Sequence, residues 1–155
     1  MLNFGAALAA IVRPGDAIGL SGDLGVGKTT LARGLLRGLG LVGEAPSPSF
    51  AIVQPYAPPE TRLPVLHVDL YRLDDGADTV ELGLDDARQD HLLLIEWPER
   101  MGAFAWADML MLNLRTQSEE MRDGAGQEAG DSAGDSARVL TANVPPAWET
   151  RWLFR

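Results

Sequence analysis

The feature that most constrains this chain is a short glycine-rich loop. Residues 22–29 read Gly-Asp-Leu-Gly-Val-Gly-Lys-Thr, which fits the pattern G-x-x-x-x-G-K-[ST] at every fixed position. An apolar run at 17–20 precedes the loop, and leucines at helical spacing follow it between residues 30 and 39. The loop is therefore predicted to join a buried strand to a helix. In that setting its backbone N–H groups converge on an anion, and the helix N-terminus adds its positive end.

The second half of the loop carries the predicted contacts to phosphate. The residues expected to bind there are Gly25, Val26, Gly27, Lys28, Thr29 and Thr30. The Lys28 ammonium is expected to reach the β- and γ-phosphates of a nucleotide, and the Thr29 hydroxyl to ligate Mg²⁺. Lys28 is also the only lysine among 13 basic residues. Since a compact ammonium fits inside a ring of backbone N–H groups and a planar guanidinium does not, this choice favours a functional loop over a chance match.

Two further apolar runs each end in a carboxylate. Residues 65–69 end at Asp69, and residues 92–96 end at Glu96. Ligands of parallel α/β sheets bind outside the carboxyl ends of the strands, so both acids can face the phosphates and Mg²⁺. One strand-terminal acid is often only a turn residue, whereas two in a chain with a phosphate-binding loop indicate a site. Lys28, Asp69 and Glu96 are therefore the candidate catalytic residues.

Other polar and aromatic positions have two interpretations each. Residues 47–49, Ser-Pro-Ser, precede a predicted strand at 50–53 and form either an ordinary turn or a nucleotide-sensing switch loop; the residues alone favour the turn. Trp97 either packs in the core or flanks a nucleotide or a partner, and core is the commoner outcome. His67, inside a strand pattern, is more often packed or hydrogen-bonded than a base.

The order of the predicted elements favours an α/β protein. We predict a P-loop NTPase-like three-layer fold with a mostly parallel central sheet and a C-terminal antiparallel hairpin. The hairpin pairs an alternating strand at 108–115 with residues 138–144. After it, a C-terminal helix is predicted to dock through Trp148, Trp152 and Leu153.

Several predictions concern how the helices pack. Asn3 is predicted to cap a helix over 3–12. Gly34 and Gly38, inside the helix after the loop, are predicted to permit its close packing on the sheet. A helix over 79–90 is predicted to bury one face, made of Val80, Leu84 and Ala87.

Composition limits the class of protein. At 155 residues the chain is predicted to form one domain over 1–155. It contains no cysteine, which excludes disulfides and thiolate chemistry. No apolar run reaches the length of a membrane span and no signal peptide is recognisable, so a cytoplasmic protein without a membrane partner is expected. The net charge of −9 comes without a basic stripe, which indicates that a role beside RNA would work through a partner.

The segment 119–137 differs in composition from the rest of the chain. It holds six acids against Arg122 alone, with four glycines and almost no large apolar groups. Such a segment cannot bury a core, and we predict a disordered loop.

Deleting residues 119–137 and closing the hairpin with a short turn is expected to leave stability nearly unchanged. Flexible loops add closure entropy slowly, about 0.6 kcal/mol per doubling of length. Thermal unfolding of the two proteins measures the difference. A large fall in the melting temperature of the shortened protein would show that the segment is packed.

Five short blocks of this sequence, taken together, resemble the TsaE family, also called YjeE. Its members are small bacterial P-loop ATPases needed to make threonylcarbamoyladenosine in tRNA. The blocks that carry the resemblance are GDLGVGKTT at 22–30, SPSF at 47–50, HVDLYRL at 67–73, ELGL at 81–84 and IEWPE at 95–99. They occur in family order and cover roughly residues 4–115. The first, third and last blocks together are specific, whereas the phosphate-binding loop alone is not.

The resemblance implies roles that the residues alone leave open. Thr29 and Glu96 look like the Mg²⁺ ligands, and Asp69 looks like a second catalytic or metal-organising carboxylate. The segment 47–50, with Ser47 and Ser49, looks like the family's switch loop, although Ser49 stands where the family usually has threonine. Trp97 matches a functionally important tryptophan.

The resemblance also implies cofactors and partners. These are ATP with Mg²⁺, and the TsaB–TsaD complex, in which TsaD performs the transfer to tRNA. ATP hydrolysis is then expected to reset that complex, so tRNA is contacted only indirectly. The basal activity is expected to be low without the partners.

Two other functions stay open as alternatives. One is a small-molecule kinase, which would need a lid of arginines over the phosphates, and no arginine cluster indicates one. The other is a nucleotide-binding scaffold without turnover, against which Asp69 and Glu96 argue. A conventional GTPase is disfavoured because its N-K-x-D motif needs a lysine besides Lys28.

Overall fold

The computed structural model describes residues 1–117 and 137–154 of the chain. In chain order its strands are β1 (Ala17–Ser21), β2 (Val53–Tyr56), β3 (Val65–Asp69), β4 (Leu92–Glu96), β5 (Leu110–Thr116) and β6 (Arg138–Asn143). The helices are α1 (Leu2–Leu8), α2 (Lys28–Gly38), α3 (Gly76–Glu81), α4 (Leu84–Ala87) and α5 (Pro146–Glu149), with a 3₁₀ segment at Pro98–Phe104.

The six strands form one sheet in the order β2-β3-β4-β1-β5-β6. The four central strands, β3, β4, β1 and β5, are parallel, whereas β2 and β6 pair antiparallel at the two edges. Strand β2 contains Pro55, which an edge strand tolerates because one of its sides makes no ladder hydrogen bonds. The predicted α/β fold with its C-terminal hairpin is confirmed. Because β1 lies at the centre, the loop that follows it opens at the middle of the sheet's carboxyl edge.

Apolar layers cover both faces of the sheet. Alternate residues of a strand point to opposite faces, so Leu92 and Leu94 of β4 share a cluster with the leucines of α1 and α2. Leu93 and Ile95 pack on the other face, with Leu84 of α4. The central strands therefore read as continuous apolar runs because both of their faces are buried.

Helices α1 and α2 pack together through glycines. A Cβ on Gly34 would lie 2.3 Å from the carbonyl oxygen of Leu2, and one on Gly38 would lie 2.6 Å from the Cβ of Ala9. The prediction that these glycines pack on the sheet is therefore wrong, because the backbone they approach belongs to the first helix and its end. A glycine pattern marks a close approach without identifying the partner.

Gly34→Ala is expected to destabilise the protein by about 1–3 kcal/mol, the usual cost of overpacking. The new Cβ has no room against α1, and this cost outweighs the gain of about 1 kcal/mol that alanine brings to a helix interior. Urea denaturation measures the free energy of unfolding, with Arg37→Ala at an exposed position of the same helix as the control. Equal stability of the Gly34 variant and the wild type would contradict the close contact.

The helix predicted over 79–90 is instead two short helices, α3 and α4. Gly83 between them has a φ of 68°, in the left-handed region, which ends the first helix. The Asp75 side chain caps α3 by accepting a hydrogen bond from the backbone N–H two residues on. Leu84 is buried as predicted, but Val80 is 52% exposed, so the predicted inner face is wrong at that position.

Two other boundaries differ from prediction. Asn3 lies inside α1 instead of capping it, and the helix ends at Leu8. The strand expected at 50–53 begins only at Val53. Its start is delayed because Ile52 has a φ of 66°, which belongs to a turn and not to a strand.

A partly buried ion pair holds the C-terminal segment. The Arg151 guanidinium donates hydrogen bonds to both carboxylate oxygens of Asp16, at 2.6 and 2.7 Å. It also lies 4.2 Å from the ring centre of Trp148, which is buried as predicted. The predicted C-terminal helix is only one turn long, however, since α5 ends at Glu149, and Leu153 is 69% exposed.

Predictions about the whole chain have different outcomes. The disordered loop predicted at 119–137 lies outside the described residues except for Ala137, whose carbonyl accepts a hydrogen bond from the Gln117 N–H at 2.9 Å. Within residues 1–117 and 137–154, no helix is long and apolar enough to cross a membrane. The division into one domain stays a prediction.

Candidate functional site

The glycine-rich loop connects β1 to α2, as its pattern predicts. Three of its glycines have left-handed backbone angles, with φ of 133° at Gly22, 77° at Gly25 and 116° at Gly27. A Cβ on Gly22 would also lie 2.3 Å from the carbonyl oxygen of Leu114 on β5. Gly22 is therefore required both by its backbone angle and by the closeness of the neighbouring strand.

The Lys28 side chain folds back over the loop that precedes it. Its ammonium donates hydrogen bonds to the carbonyl oxygens of Gly22 and Asp23, at 2.6 and 2.8 Å. It lies 4.1 Å from the ring centre of Trp97, within cation–π distance. Lys28 is only 5% exposed, and this burial lowers its pKa, while the charge of Glu96 acts against the shift. The site thus contains a cation that is shielded from water and lies near a carboxylate.

Glu96 and Thr29 meet where β4 lies beside the start of α2. Strand β4 is the neighbour of β1, with Glu96 in register with Leu20. The Thr29 hydroxyl donates to the Glu96 carboxylate, 3.0 Å from Oε1 and 3.1 Å from Oε2. Glu96 is 3% exposed, and its Oε1 also lies 2.9 Å from His67 Nε2. The two side chains predicted to ligate a metal are therefore in contact.

Asp69 lies beside Glu96, in direct register at the end of β3. Its Oδ1 accepts a hydrogen bond from the backbone N–H of Tyr71 at 2.9 Å, and its Oδ2 accepts one from the Ser49 hydroxyl at 3.1 Å. The Ser49 hydroxyl lies 2.8 Å from that of Ser47. The segment 47–49, called the serine segment below, therefore contacts the site through the hydrogen bond from Ser49 to Asp69. Its role as a switch stays a prediction.

Trp97 lies at the site and is only half-buried. Its backbone has a φ of 61° and a ψ of 50°, a left-handed conformation that is rare for a bulky residue. Its ring contacts Tyr71, with 5.0 Å between ring centres, on the side of the sheet's carboxyl edge. It also packs, partly buried, against the apolar cluster of α4. Trp97 therefore belongs both to the edge of the core and to the candidate site, and its functional role stays a prediction.

These residues enclose a cleft of about 210 Å³. Its lining consists of Leu24, Gly25, Gly27, Lys28, Thr29, Thr30, Ser47, Ser49, Asp69, Tyr71, Glu96 and Trp97. Of the predicted site residues only Val26 is absent from this lining, since its side chain is buried in the core beneath the loop. The site predicted from separate parts of the chain is thus brought together in one place.

Two residues of the cleft lining, Leu24 and Tyr71, are absent from the sequence prediction. Tyr71 stands two residues after Asp69, and its position in the HVDLYRL block could have indicated it. Leu24, 76% exposed, occupies a variable position of the loop and gives no such signal. His67 is hydrogen-bonded, as expected, but the identity of its partner, Glu96, depends on strand register that the sequence does not specify.

Thr29 and Glu96 are the residues suited to holding a metal ion. Hydroxyl and carboxylate oxygens are hard ligands of the kind Mg²⁺ prefers, and Mg²⁺ usually takes its remaining ligands from phosphate and water. No cluster of three or more His, Cys, Asp or Glu side chains in the described part of the chain could hold a metal. A Mg²⁺ ion at Thr29 and Glu96 would therefore depend on a phosphate ligand.

Comparison with known proteins assigns the chain to a family. The fold and the loop define an α/β protein of the P-loop class. A sequence profile described as threonylcarbamoyl adenosine biosynthesis protein TsaE matches residues 1–124, and the chain belongs to the TsaE family.

Relatives and a solved structure support the assignment. The tRNA threonylcarbamoyladenosine biosynthesis protein TsaE of Streptomyces coelicolor is 36% identical over 151 residues, which cover 97% of this chain and 95% of that protein. TsaE of Bacillus subtilis is 34% identical over 116 residues, covering 74% and 71% of the two chains. The crystal structure of Bacillus subtilis YdiB matches with a TM-score of 0.69 and 27% identity, covering 96% of this chain and 82% of that one.

Proposed function

We propose that this protein is a Mg²⁺-dependent ATPase of the cytoplasm that supports threonylcarbamoyladenosine modification of tRNA by binding and resetting the TsaB–TsaD complex. The observation that carries the proposal is the contact between Thr29 and Glu96, 3.0 Å from oxygen to oxygen, beside the loop lysine. Hard oxygen ligands at the carboxyl edge of a parallel sheet suit a metal bound to a nucleotide phosphate. The biosynthetic role follows from the family description and the names of the relatives.

The loop is proposed to bind the triphosphate. Backbone N–H groups from Gly25 to Thr30 supply neutral donors, and the N-terminus of α2 adds a positive partial charge. The Lys28 ammonium has three N–H donors, two of which bond to loop carbonyl oxygens. In the complex with ATP it would turn these donors toward the β- and γ-phosphates. Because the ammonium is shielded from water, its attraction to phosphate is stronger than at an exposed position.

Thr29 and Glu96 would hold the Mg²⁺ ion. When bound, the ion neutralises charge on the β- and γ-phosphates. The Glu96 side chain is 3% exposed, and a carboxylate buried in this way favours a cation beside it. The Thr29 hydroxyl, at the first turn of α2, links this carboxylate to the phosphate-binding loop.

Asp69 is proposed to orient the attacking water. Its two oxygens are fixed by the Tyr71 N–H and the Ser49 hydroxyl, so the carboxylate has a defined direction. A carboxylate at this edge can accept a hydrogen bond from water and then its proton. Movement of the serine segment would release one of the two bonds to Asp69. This coupling supports the proposed switch role of Ser47 and Ser49.

The proposed partner is the TsaB–TsaD complex, with tRNA contacted only through it. The net charge of −9 argues against direct binding of an RNA backbone by this chain. Trp97 is half-buried and contacts Lys28, which supports the proposal that it couples partner binding to the loop. The proposed reaction is hydrolysis of ATP that resets the complex and leaves the RNA chemistry to TsaD.

Phosphate release with purified TsaB and TsaD tests this function. We expect ATP hydrolysis to require Mg²⁺ and to rise when both partners are present, and we expect co-purification with them to depend on ATP. Transfer of the phosphate to a nucleoside or small metabolite would favour the kinase alternative. ATP binding without phosphate release in the complete mixture would favour the scaffold.

A further inference from the structure

We propose that His67 is a positioning residue that orients the Glu96 carboxylate for Mg²⁺, without touching the nucleotide. The inference rests on the proposed function, because it concerns the carboxylate assigned there to the metal. His67 Nε2 lies 2.9 Å from Glu96 Oε1. In the described part of the chain, His67 is the only basic side chain within 4.0 Å of that carboxylate. A buried carboxylate with so few donors takes its orientation from them.

The sheet brings these two side chains together. Strands β3 and β4 are parallel neighbours, with His67 in register with Leu94 and Asp69 in register with Glu96. Alternate residues share a face, so His67 and Asp69 lie on one side of β3, and Leu94 and Glu96 lie on one side of β4. That side is the one packed against α1 and α2, because Leu94 belongs to their cluster. His67 therefore reaches Glu96 from the core side of the site.

Burial decides which ring nitrogen of His67 carries the hydrogen. The residue is 0% exposed, and its Nδ1 has no hydrogen-bond partner among the described residues. A hydrogen on Nδ1 would be a buried donor without an acceptor, and a lone pair on Nε2 would then face the carboxylate. We therefore assign the hydrogen to Nε2, which donates to Glu96. Nδ1 then carries no hydrogen and has no hydrogen-bond partner among the described residues.

This hydrogen bond is expected to determine how well the Glu96 carboxylate is oriented to hold Mg²⁺. Removing a side chain that hydrogen-bonds to a metal ligand commonly lowers metal affinity or activity by about 10–100-fold. Among the hydrogen bonds of residues 1–117 and 137–154, only those from the Thr29 hydroxyl would remain on the Glu96 carboxylate without His67. His67→Leu fills most of the space and donates no hydrogen bond, whereas His67→Gln retains an amide N–H donor. The two variants separate packing from hydrogen bonding.

The test is ADP binding by calorimetry at increasing Mg²⁺ concentration, with the full chain as wild type and as the two His67 variants. In His67→Leu we expect the Mg²⁺ concentration for half-maximal enhancement of ADP affinity to rise about 10–100-fold. In His67→Gln we expect most of that loss to be recovered. Binding of ADP in EDTA, which depends on the loop backbone and Lys28, should stay within about twofold of wild type in both variants, because the loop N–H groups are unchanged.

The possible outcomes separate this inference from the proposed function. A Mg²⁺-dependent wild type with an unchanged His67→Leu variant overturns the inference alone. A wild type whose ADP binding ignores Mg²⁺ overturns the metal assignment and the inference with it. If His67→Leu does not fold, nitrogen NMR of the wild-type imidazole decides: a hydrogen on Nε2 supports the inference, and a hydrogen on Nδ1 overturns it.

Discussion

Glu96→Gln is expected to slow ATP hydrolysis by about 10²–10³-fold, the usual effect of removing one strong electrostatic group from an active site. ATP binding should change far less, because the loop backbone and Lys28 are untouched by the substitution. Glutamine keeps the shape of glutamate and can still meet the Thr29 hydroxyl, which lies 3.0 Å from Glu96 Oε1. It loses the negative charge that is proposed to hold Mg²⁺.

The measurement is phosphate release in the presence of TsaB and TsaD, with nucleotide binding by titration alongside. Glu149→Gln is a matched control, because it removes the same charge from an exposed residue of α5 that does not line the cleft. We expect the control to hydrolyse ATP at close to the wild-type rate. If Glu96→Gln did so too, Asp69 would become the leading metal carboxylate and the roles of the two strand ends would have to be exchanged.

Lys28→Ala is expected to abolish productive ATP binding and leave the fold intact. Hydrogen bonds to charged groups are worth about 1.5–3 kcal/mol each, so affinity should fall by roughly 10–100-fold for each hydrogen bond to phosphate that the substitution removes. The fold should survive because burial lowers the pKa of Lys28, so the cost of burying the ammonium offsets part of what its two hydrogen bonds to the loop contribute. Nucleotide titration and circular dichroism together measure both effects.

Lys28→Arg distinguishes charge from shape at the same position. The guanidinium keeps the positive charge, but it is planar and larger than the ammonium that lies over Gly22 and Asp23. We expect this variant to bind ATP poorly as well. Wild-type affinity in a folded Lys28→Ala protein would instead show that the loop does not bind the terminal phosphates through its lysine.

The centre of the fold was predictable because its strands are apolar on both faces. Residues 92–95 read as an unbroken apolar run, and β4 is buried along its whole length. Prediction failed where the packing or exposure of a residue depends on neighbouring residues that the local pattern does not specify. Gly34 indicated a close contact but not that α1 would fill it, and Val80 fits a helical face that Gly83 interrupts.

The residues of the candidate site fall into the same two groups: those that a local pattern locates, and those whose contacts depend on the rest of the fold. Lys28, Asp69 and Glu96 were predictable because a loop pattern and two strand ends locate them without knowledge of the rest. The bond between His67 and Glu96 depends on the register of β3 against β4, which no local pattern specifies. Trp97 stayed between two interpretations because its left-handed backbone and its contacts with Lys28 and Tyr71 are tertiary features that no local pattern specifies.

The place of β1 in the sheet has a consequence for the synthesis of the protein. This strand is made early, but its neighbours are made late: Ala17 pairs with Leu93, and Ile18 pairs with Leu110. The loop after β1 is also shaped by β5, since Gly22 packs against the Leu114 carbonyl. A chain emerging from the ribosome therefore carries the whole glycine-rich loop long before the strands that shape it. If ATP binds to this loop as proposed, it can stabilise only the nearly completed chain, and the early steps of folding proceed without it.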